Sequence, residues 1–219
     1  MKKITILAAF LVSVASFAQI SGTSFEEPAV FSIEYTDTDD ANVAHDLINN
    51  PDEPIVNYTS TGGELGFNAR YEPYDTPGDG LTDGDFVGVT DIQPTNDNPY
   101  PDGDQGYQIS DSDGNFILEF DQVDLTGVTD PTVSIDYFIV ESGYEGDGTV
   151  NESSSDRLRI YVKDLTNGSE LDILNTTGSD INDLGIEGSW ITGSAPVLSN
   201  TTVQLVIEAR VNASSEEFF

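Results

Sequence analysis

The sequence predicts an all-β protein made of antiparallel strands, and two observations carry this prediction. Apolar and polar residues alternate with a period of two along most of the chain, which is typical of strands with one buried and one solvated face. Clusters of Gly, Asp, Asn and Pro separate the alternating runs and supply the backbone conformations that turns need. About ten short strands spaced in this way indicate an antiparallel sandwich or barrel.

The four clearest strands each show an apolar face opposite a polar one. They cover residues 115–121, 132–140, 157–163 and 203–211. Weaker candidates cover residues 29–35, 85–90, 106–110, 170–175 and 189–192. The alternation predicts that the core contains Val133, Ile135, Ile160, Val162, Leu205 and Ile207. A short stretch at 41–49 is the best candidate for a helix.

Residues 1–19 have the three parts of an export signal. Two lysines stand near the start, residues 4–14 form an apolar run, and residues 16–18 form a small-x-small cleavage site. The apolar run is shorter than the roughly 20 residues that a permanent membrane-spanning helix needs. The Phe-Ala-Gln junction resembles the signal peptides of Bacteroidetes. We therefore expect a secreted or cell-surface protein with no membrane span, in which residues 20–219 form one β-sandwich domain.

The chain is strongly acidic, because 40 Asp and Glu residues face 7 Lys and Arg residues and give a formal net charge of -33. Such a charge repels nucleic-acid phosphates and anionic lipid headgroups, so direct binding to nucleic acid is not expected. Two origins of the charge stay open. The acidic residues can form a solvated surface suited to salt water, or they can bind divalent cations, because Ca²⁺ requires carboxylate and carbonyl oxygens.

Catalysis is not expected from this composition. The chain has no Cys and a single His, His45, which excludes zinc sites built from His and Cys and leaves a Ser nucleophile without a recognisable base. Pairs of carboxylates can hydrolyse glycosides, but a chain with so many acidic residues always contains pairs that look suitable. The absence of Cys also means that the hydrophobic core must hold the fold without disulfides.

Two acidic loops supply most of the candidate calcium ligands. In the loop 75–85, carboxylates at spacings of four, four and two surround a glycine, which partly matches the calcium loop of the helical-hand proteins. Pro77 and Phe86 occupy two ligand positions of that loop. The turn 111–115 has the pattern D-x-D-G-N, which suits either a cation site or an ordinary hairpin turn. The candidate metal ligands are Glu26, Asp75, Asp79, Asp83, Asp85, Asp111 and Asp113.

Tyrosines in or beside loops rich in Gly and Pro are candidates for an exposed rim that binds sugars, since Tyr is amphipathic and common at such edges. The candidates are Tyr71, Tyr74, Tyr100 and Tyr144. The single Trp, Trp190, lies in a strand-like segment and is expected to pack in the core.

Four segments of the chain resemble a known kind of module. They cover residues 24–26, 85–91, 115–121 and 203–219. They are similar to jelly-roll modules at the N-terminus of large secreted flavobacterial proteins, of the galactose-binding-like and carbohydrate-binding type. The resemblance implies a jelly-roll sandwich with a structural Ca²⁺ held by an early Phe-Glu and by aspartates after the final strand. Glu26 matches the first element, and the chain stops at Phe219 where the second is expected, which implies truncation before the last strand.

These observations predict a secreted, non-catalytic module that binds, adheres or acts as a spacer, is stabilised by calcium, and contacts polysaccharide or another cell-surface component. The alternative is an accessory domain of an exported hydrolase, a nuclease, peptidase or glycosidase, whose catalytic domain lies beyond residue 219.

Overall fold

The structure is a computed structural model that describes residues 19–31, 33–95 and 97–219. The export signal predicted at 1–19 lies outside these residues, apart from its last position. Within the described part of the chain, the only helical element is a 3-10 turn at Ile181–Asp183. No helix in these ranges has the length and apolar character that crossing a bilayer requires.

The strands are numbered in chain order, and every pairing between two of them is antiparallel. They are β1 (His45–Asp46), β2 (Phe67–Glu72), β3 (Val87–Thr90), β4 (Gly106–Ser110), β5 (Gly114–Phe120), β6 (Val123–Asp124), β7 (Thr132–Tyr137), β8 (Arg157–Asp164), β9 (Ser169–Asn175), β10 (Ile191–Pro196), β11 (Thr202–Val211) and β12 (Glu217–Phe218). The all-β, antiparallel class that the sequence predicts is therefore confirmed.

The first layer is a sheet in the order β1-β2-β5-β11-β8-β9. Its longest strand, β11, pairs with β5 over residues 206–211 and with β8 over residues 203–210. The short strand β6 pairs with the start of β11. The strong period-two pattern at 203–211 thus belongs to a strand with neighbours on both sides.

The second layer consists of the ribbons β10-β7 and β12-β4-β3. The backbone beyond β7 joins them, because Ile139 forms a bridge with Phe218 of β12. In addition, Phe138 and Phe219 exchange two backbone hydrogen bonds of 2.8 and 2.9 Å. At the other edge, Tyr35 forms a bridge with Asp85 just before β3. The two ribbons therefore act as one layer, with β12 between β4 and the extension of β7.

One apolar core lies between the two layers. From the first layer it contains Phe67, Ala69, Tyr71, Phe116, Leu118, Phe120, Leu158, Ile160, Ala209 and Val211. From the second it contains Val87, Val89, Tyr107, Ile109, Tyr137, Ile139 and Phe218. Side chains of alternate residues on facing sheets filling one core are what a β-sandwich requires. The jelly-roll connectivity within that class stays a prediction.

Two sequence predictions about the elements were wrong. The stretch 41–49 contains the two-residue strand β1 in place of a helix, and the described residues of 29–35 contribute only the bridge at Tyr35. The predicted strand at 203–211 lacks only the first residue of β11, and after β11 the chain turns before it forms β12. Of the expected core, Ile160 and Val162 are buried. Four others are only partly buried, namely Val133, Ile135, Leu205 and Ile207.

Candidate functional site

Five of the predicted calcium ligands come together at one end of the second layer. We call them the aspartate cluster: Asp79, Asp83, Asp85, Asp111 and Asp113. Strands β3 and β4 pair Val87 with Ile109, and Asp85 and Asp111 lie two residues before and two residues after these partners. The charge of Asp111 acts on the carboxyl of Asp85. The turn between β4 and β5 supplies Asp113, and the loop before β3 supplies the remaining two aspartates.

Asp85 is the member of this cluster whose pKa is raised most. Its residue surface is 3% exposed, and its Oδ2 atom is buried without a hydrogen-bond partner. Burial raises the pKa of Asp85 to about 9, and the negative charges of Asp111 and Asp83 add to this effect. Burial also raises the pKa of Asp113 to about 6, with further contributions from Asp111 and Asp83.

The backbone places these carboxylates independently of any ion. Asp111 and Asp113 have φ values of 53° and 45°, a left-handed conformation that Asp tolerates better than most residues. The N–H of Asp113 donates to the carbonyl of Val211 at 3.0 Å, which ties the turn to the end of β11. On the other loop, Gly80 has a φ of 60°, and a Cβ there would lie 2.8 Å from the hydroxyl of Tyr71. Glycine is therefore required for the close approach of this loop to the core.

The cluster offers only oxygen ligands, which suits Ca²⁺ better than softer metals. However, no three members of this cluster have ligand atoms that all lie within 4.8 Å of one another. Among the described residues, groups of three acidic or His side chains at this spacing are found elsewhere. Direct ligation by three members of the aspartate cluster would therefore need side-chain rotation, and water could bridge the remaining distance.

Glu26 and Asp75 do not join the aspartate cluster through any described hydrogen bond. The Oε1 atom of Glu26 accepts the backbone N–H groups of Asp104 and Gln105 at 2.6 and 2.8 Å. Asp75 is held by Asn151, whose side-chain amide donates to Oδ1 of Asp75 at 3.0 Å. These two residues thus organise loops, in positions that the sequence pattern alone did not separate from the others.

The four tyrosines expected at an exposed rim are buried. Tyr71, Tyr74, Tyr100 and Tyr144 are 0%, 5%, 8% and 4% exposed, respectively. The hydroxyls of these residues donate to backbone carbonyls, for example that of Tyr100 to Ile92 at 2.5 Å. The expected open rim is thus corrected to a set of buried anchors, because each ring packs inward while its hydroxyl finds a carbonyl. Within residues 19–31, 33–95 and 97–219, no aromatic residue is exposed.

His45 forms a close pair with a buried carboxylate. Its Nε2 atom lies 2.7 Å from Oδ2 of Asp37, and its Nδ1 atom lies 2.6 Å from the carbonyl oxygen of Val43. The Asp37, Asp39 and His45 ligand atoms lie within 4.8 Å of one another. A metal-binding histidine needs a free lone pair on one ring nitrogen, and here both nitrogens face acceptors. We therefore interpret this group as an ion pair.

A second carboxylate group was missed by the sequence analysis. We call it the Glu145 cluster: Glu145, Asp156 and Glu216. None of its three members is among the candidate metal ligands named from the sequence. They are 11 and 60 residues apart in the chain (156 − 145 and 216 − 156), so no local spacing pattern could have linked them.

The chain was also compared with known proteins. Neither the protein-family models, nor the curated proteins, nor the solved structures contain a match to this chain.

Proposed function

We propose that this chain is a non-catalytic binding, adhesion or spacer module of an exported protein, and that Ca²⁺ bound at the aspartate cluster stabilises its sandwich. The observation that carries the proposal is the Oδ2 atom of Asp85, which is buried without a hydrogen-bond partner beside the charges of Asp83, Asp111 and Asp113. A buried carboxylate without a partner is costly, and a bound cation removes this cost.

The sign of the electrostatics supports a cation. No Lys or Arg pairs with any member of the aspartate cluster among the ion pairs of the described residues. The carboxylates therefore repel one another in the absence of a counter-ion. A divalent ion would neutralise two of these charges and supply a ligand for Asp85.

The proposed partners are polysaccharide or another cell-surface component, as the sequence analysis predicts. Because the tyrosines are buried, such contact would use the polar and acidic surface of the module in place of stacked aromatic rings. Calcium can bridge acidic surfaces, so the metal proposal and the partner proposal are compatible.

The test separates specific calcium binding from general screening of charge. Melting temperatures are measured in millimolar Ca²⁺, in Mg²⁺ at equal ionic strength, and in chelator with matching NaCl. A ligand that binds only the native state at a hundredfold excess over its Kd stabilises it by about 2.7 kcal/mol. For a domain of this size, each kcal/mol raises the melting temperature by about 2–4 °C.

We expect Ca²⁺ to raise the melting temperature more than Mg²⁺ does, and Asp85→Asn to remove part of the difference. Asp102→Asn is the matched control, because this aspartate is exposed on another turn. If the three solutions give the same melting temperature, the acidic residues form only a solvated surface and the proposal fails.

A further inference from the structure

The Glu145 cluster brings three carboxylates together at the place where the C-terminal segment meets the 143–156 loop. One ligand oxygen from each of Glu145, Asp156 and Glu216 lies within 4.8 Å of the other two. Asp156 and Glu216 are each 1% exposed, whereas Glu145 is exposed. The group is therefore closed on the protein side and open to solvent on one side.

The backbone holds these carboxylates in place. The N–H of Asp156 donates to the carbonyl of Glu145 at 2.7 Å, and the N–H of Glu145 donates to Oδ2 of Asp156. Gly146 has a φ of 71°, and a Cβ there would lie 2.5 Å from the carbonyl oxygen of Ser154, so only Gly allows this contact. From the other segment, the N–H of Asn212 donates to Oε2 of Glu216 at 3.1 Å. The ligand positions are thus preorganised.

One oxygen of this cluster, and one of Asn212, whose backbone N–H donates to Glu216, lack the hydrogen bonds that buried polar atoms normally make. Oδ1 of Asp156 and Oδ1 of Asn212 are both buried without a partner. None of the ion pairs of the described residues includes a member of the cluster. Since buried charges are normally paired or coordinate metals, the geometry lacks a positive group.

The nearest buried cation does not fill this role. The guanidinium of Arg210 donates from Nε to the carbonyl of Ser155 at 2.6 Å and from Nη2 to the carbonyl of Gly148 at 2.9 Å. It therefore fixes the backbone of the loop that contains Glu145 and Asp156. Its hydrogen bonds go to backbone carbonyls and not to the carboxylates of the cluster. Its charge acts on Asp156 only through space.

We propose that Glu145, Asp156 and Glu216 bind a second Ca²⁺ ion, which ties β12 to the 143–156 loop. Ca²⁺ takes oxygen ligands at about 2.3–2.6 Å, so ligands on opposite sides of the ion are about 4.6–5.2 Å apart. Oxygens within 4.8 Å of one another fit a single coordination sphere of this size. Water can complete the sphere on the open side, next to Glu145. This site uses none of the residues of the aspartate cluster and goes beyond the function proposed above.

The location of the ion gives it a structural role. Tyr144, the neighbour of Glu145, stacks on Phe218 of β12 with ring centroids 5.6 Å apart and an angle of 5° between the planes. Its hydroxyl donates to the carbonyl of Glu217 at 3.3 Å. Glu145 follows Tyr144 directly, and Glu216 is two residues before Phe218. An ion held by Glu145 and Glu216 would therefore hold the two chain segments together next to this ring contact. Since β12 joins the two ribbons of the second layer, calcium at this site stabilises that layer.

Calorimetric titration of the purified protein with Ca²⁺ tests the proposal. We expect two ions per chain, and we expect Asp156→Asn and Glu216→Gln to remove one of them or weaken it by more than about tenfold, because affinity depends on the number of ligand charges. Glu145→Gln provides a variant at an exposed position, where a loss of buried contacts does not complicate the result. Glu152→Gln is the matched control, since it removes an exposed charge from the same loop.

Amide hydrogen exchange provides a second measurement. Calcium should slow exchange of the N–H groups of Phe138, Val140 and Phe219, which form the hydrogen bonds between β12 and the extension of β7. The three cluster variants should lose this protection, and Glu152→Gln should keep it. If Glu145→Gln and Glu216→Gln bind as much calcium as the unmodified protein, with equal affinity, the proposal is overturned. Asp85→Asn should leave this site intact, so failure here and failure at the aspartate cluster are distinguishable.

Discussion

Nε2 of His45 lies 2.7 Å from Oδ2 of Asp37, and the Asp37 side chain is only 1% exposed. Burial by itself would lower the pKa of His45, but the hydrogen bonds to Val43 and Asp37 outweigh burial and raise it. With an acceptor at each ring nitrogen, the doubly protonated ring satisfies both. The pair therefore favours imidazolium facing a buried carboxylate.

This pair predicts a pH-dependent stability. A pKa that is higher in the folded than in the unfolded state contributes stability below the unfolded value of about 6.5, and this stability is lost as pH rises through the folded value. We expect His45→Ala to lower the free energy of unfolding by about 1–3 kcal/mol at pH 5, as for hydrogen bonds to charged groups, and by less at pH 9. Urea unfolding at both pH values measures this, with the exposed Thr38→Ala as control. An equal loss at the two pH values would contradict the prediction.

In calcium-free solution, a substitution of Asp85 should favour the folded state as pH rises, in contrast to the loss of stability expected for His45→Ala. The pKa of Asp85 is raised to about 9 from an unfolded value of about 3.8, so its contribution is fully present below pH 4 and decreases as pH rises towards 9. Asp85→Asn removes this ionisation. In chelator, we therefore expect the variant to gain in melting temperature relative to the unmodified protein as pH rises from 5 to 9. If the melting temperatures of the variant and of the unmodified protein change in parallel with pH, the ionisation of Asp85 does not affect stability and the prediction is contradicted.

Arg210 should be far more important than an ordinary surface arginine. Arg210 is 3% exposed, and its guanidinium donates to carbonyls of the 143–156 loop. Arg210→Met leaves these buried acceptors unpaired, and we expect a loss of about 1–3 kcal/mol for each of them. Arg210→Lys should recover only part of it, because an ammonium cannot reproduce the planar fork of donors.

The control for this prediction is Arg70→Met. Arg70 pairs with Glu72 at 3.2 Å, but both side chains are largely exposed. Such a pair contributes about 0–1 kcal/mol. Chemical denaturation compares the two substitutions directly, and similar losses for both would refute the structural role of Arg210.

The aromatic part of the core predicts a large loss on truncation. Phe67 is fully buried and lies 5.5 Å from Phe25 and 5.4 Å from Tyr107, measured between ring centroids. Phe67→Ala should lower the free energy of unfolding by about 3–5 kcal/mol, because it removes buried surface and leaves a cavity. Leu198→Ala, at a residue that is 62% exposed, should change it by less than about 0.5 kcal/mol. Comparable losses in urea unfolding would place Phe67 outside the core.

The sequence predicted those strands in which one face is buried and the other is solvated. The run at 157–163 lacks only the last residue of β8, in which partly buried and buried residues alternate over 157–160. The alternation fails where both faces are covered. Val206 is fully buried although it lies opposite the expected core face, because it pairs with Tyr161, over whose ring the guanidinium of Arg159 lies at 3.9 Å. The alternation of apolar and polar residues in the sequence does not show that a cationic side chain covers the outer face of a strand.

The two carboxylate clusters also differ in how much of each could be predicted from the sequence. Asp85 and Asp111 could be named as candidate ligands because each lies in a local acidic pattern, although the sequence did not show that their two loops meet. Asp156 and Glu216 meet only because β11 and the turn after it return the chain to the 143–156 loop. Such a meeting depends on the whole topology, which local spacing does not contain. The tyrosines were predicted to be exposed because loops usually are, but their rings point into the core.

The position of β12 also determines when the fold can form. The strand that joins β4 to the extension of β7 is made of residues 217–218, so the ribbons of the second layer cannot unite until these residues have been synthesised. Contacts of such long sequence separation slow folding, because the chain must close large loops before it gains their energy. A nascent chain that lacks these residues exposes one side of its core. We infer that deleting residues 217–219 would leave a chain that collapses without completing its second layer.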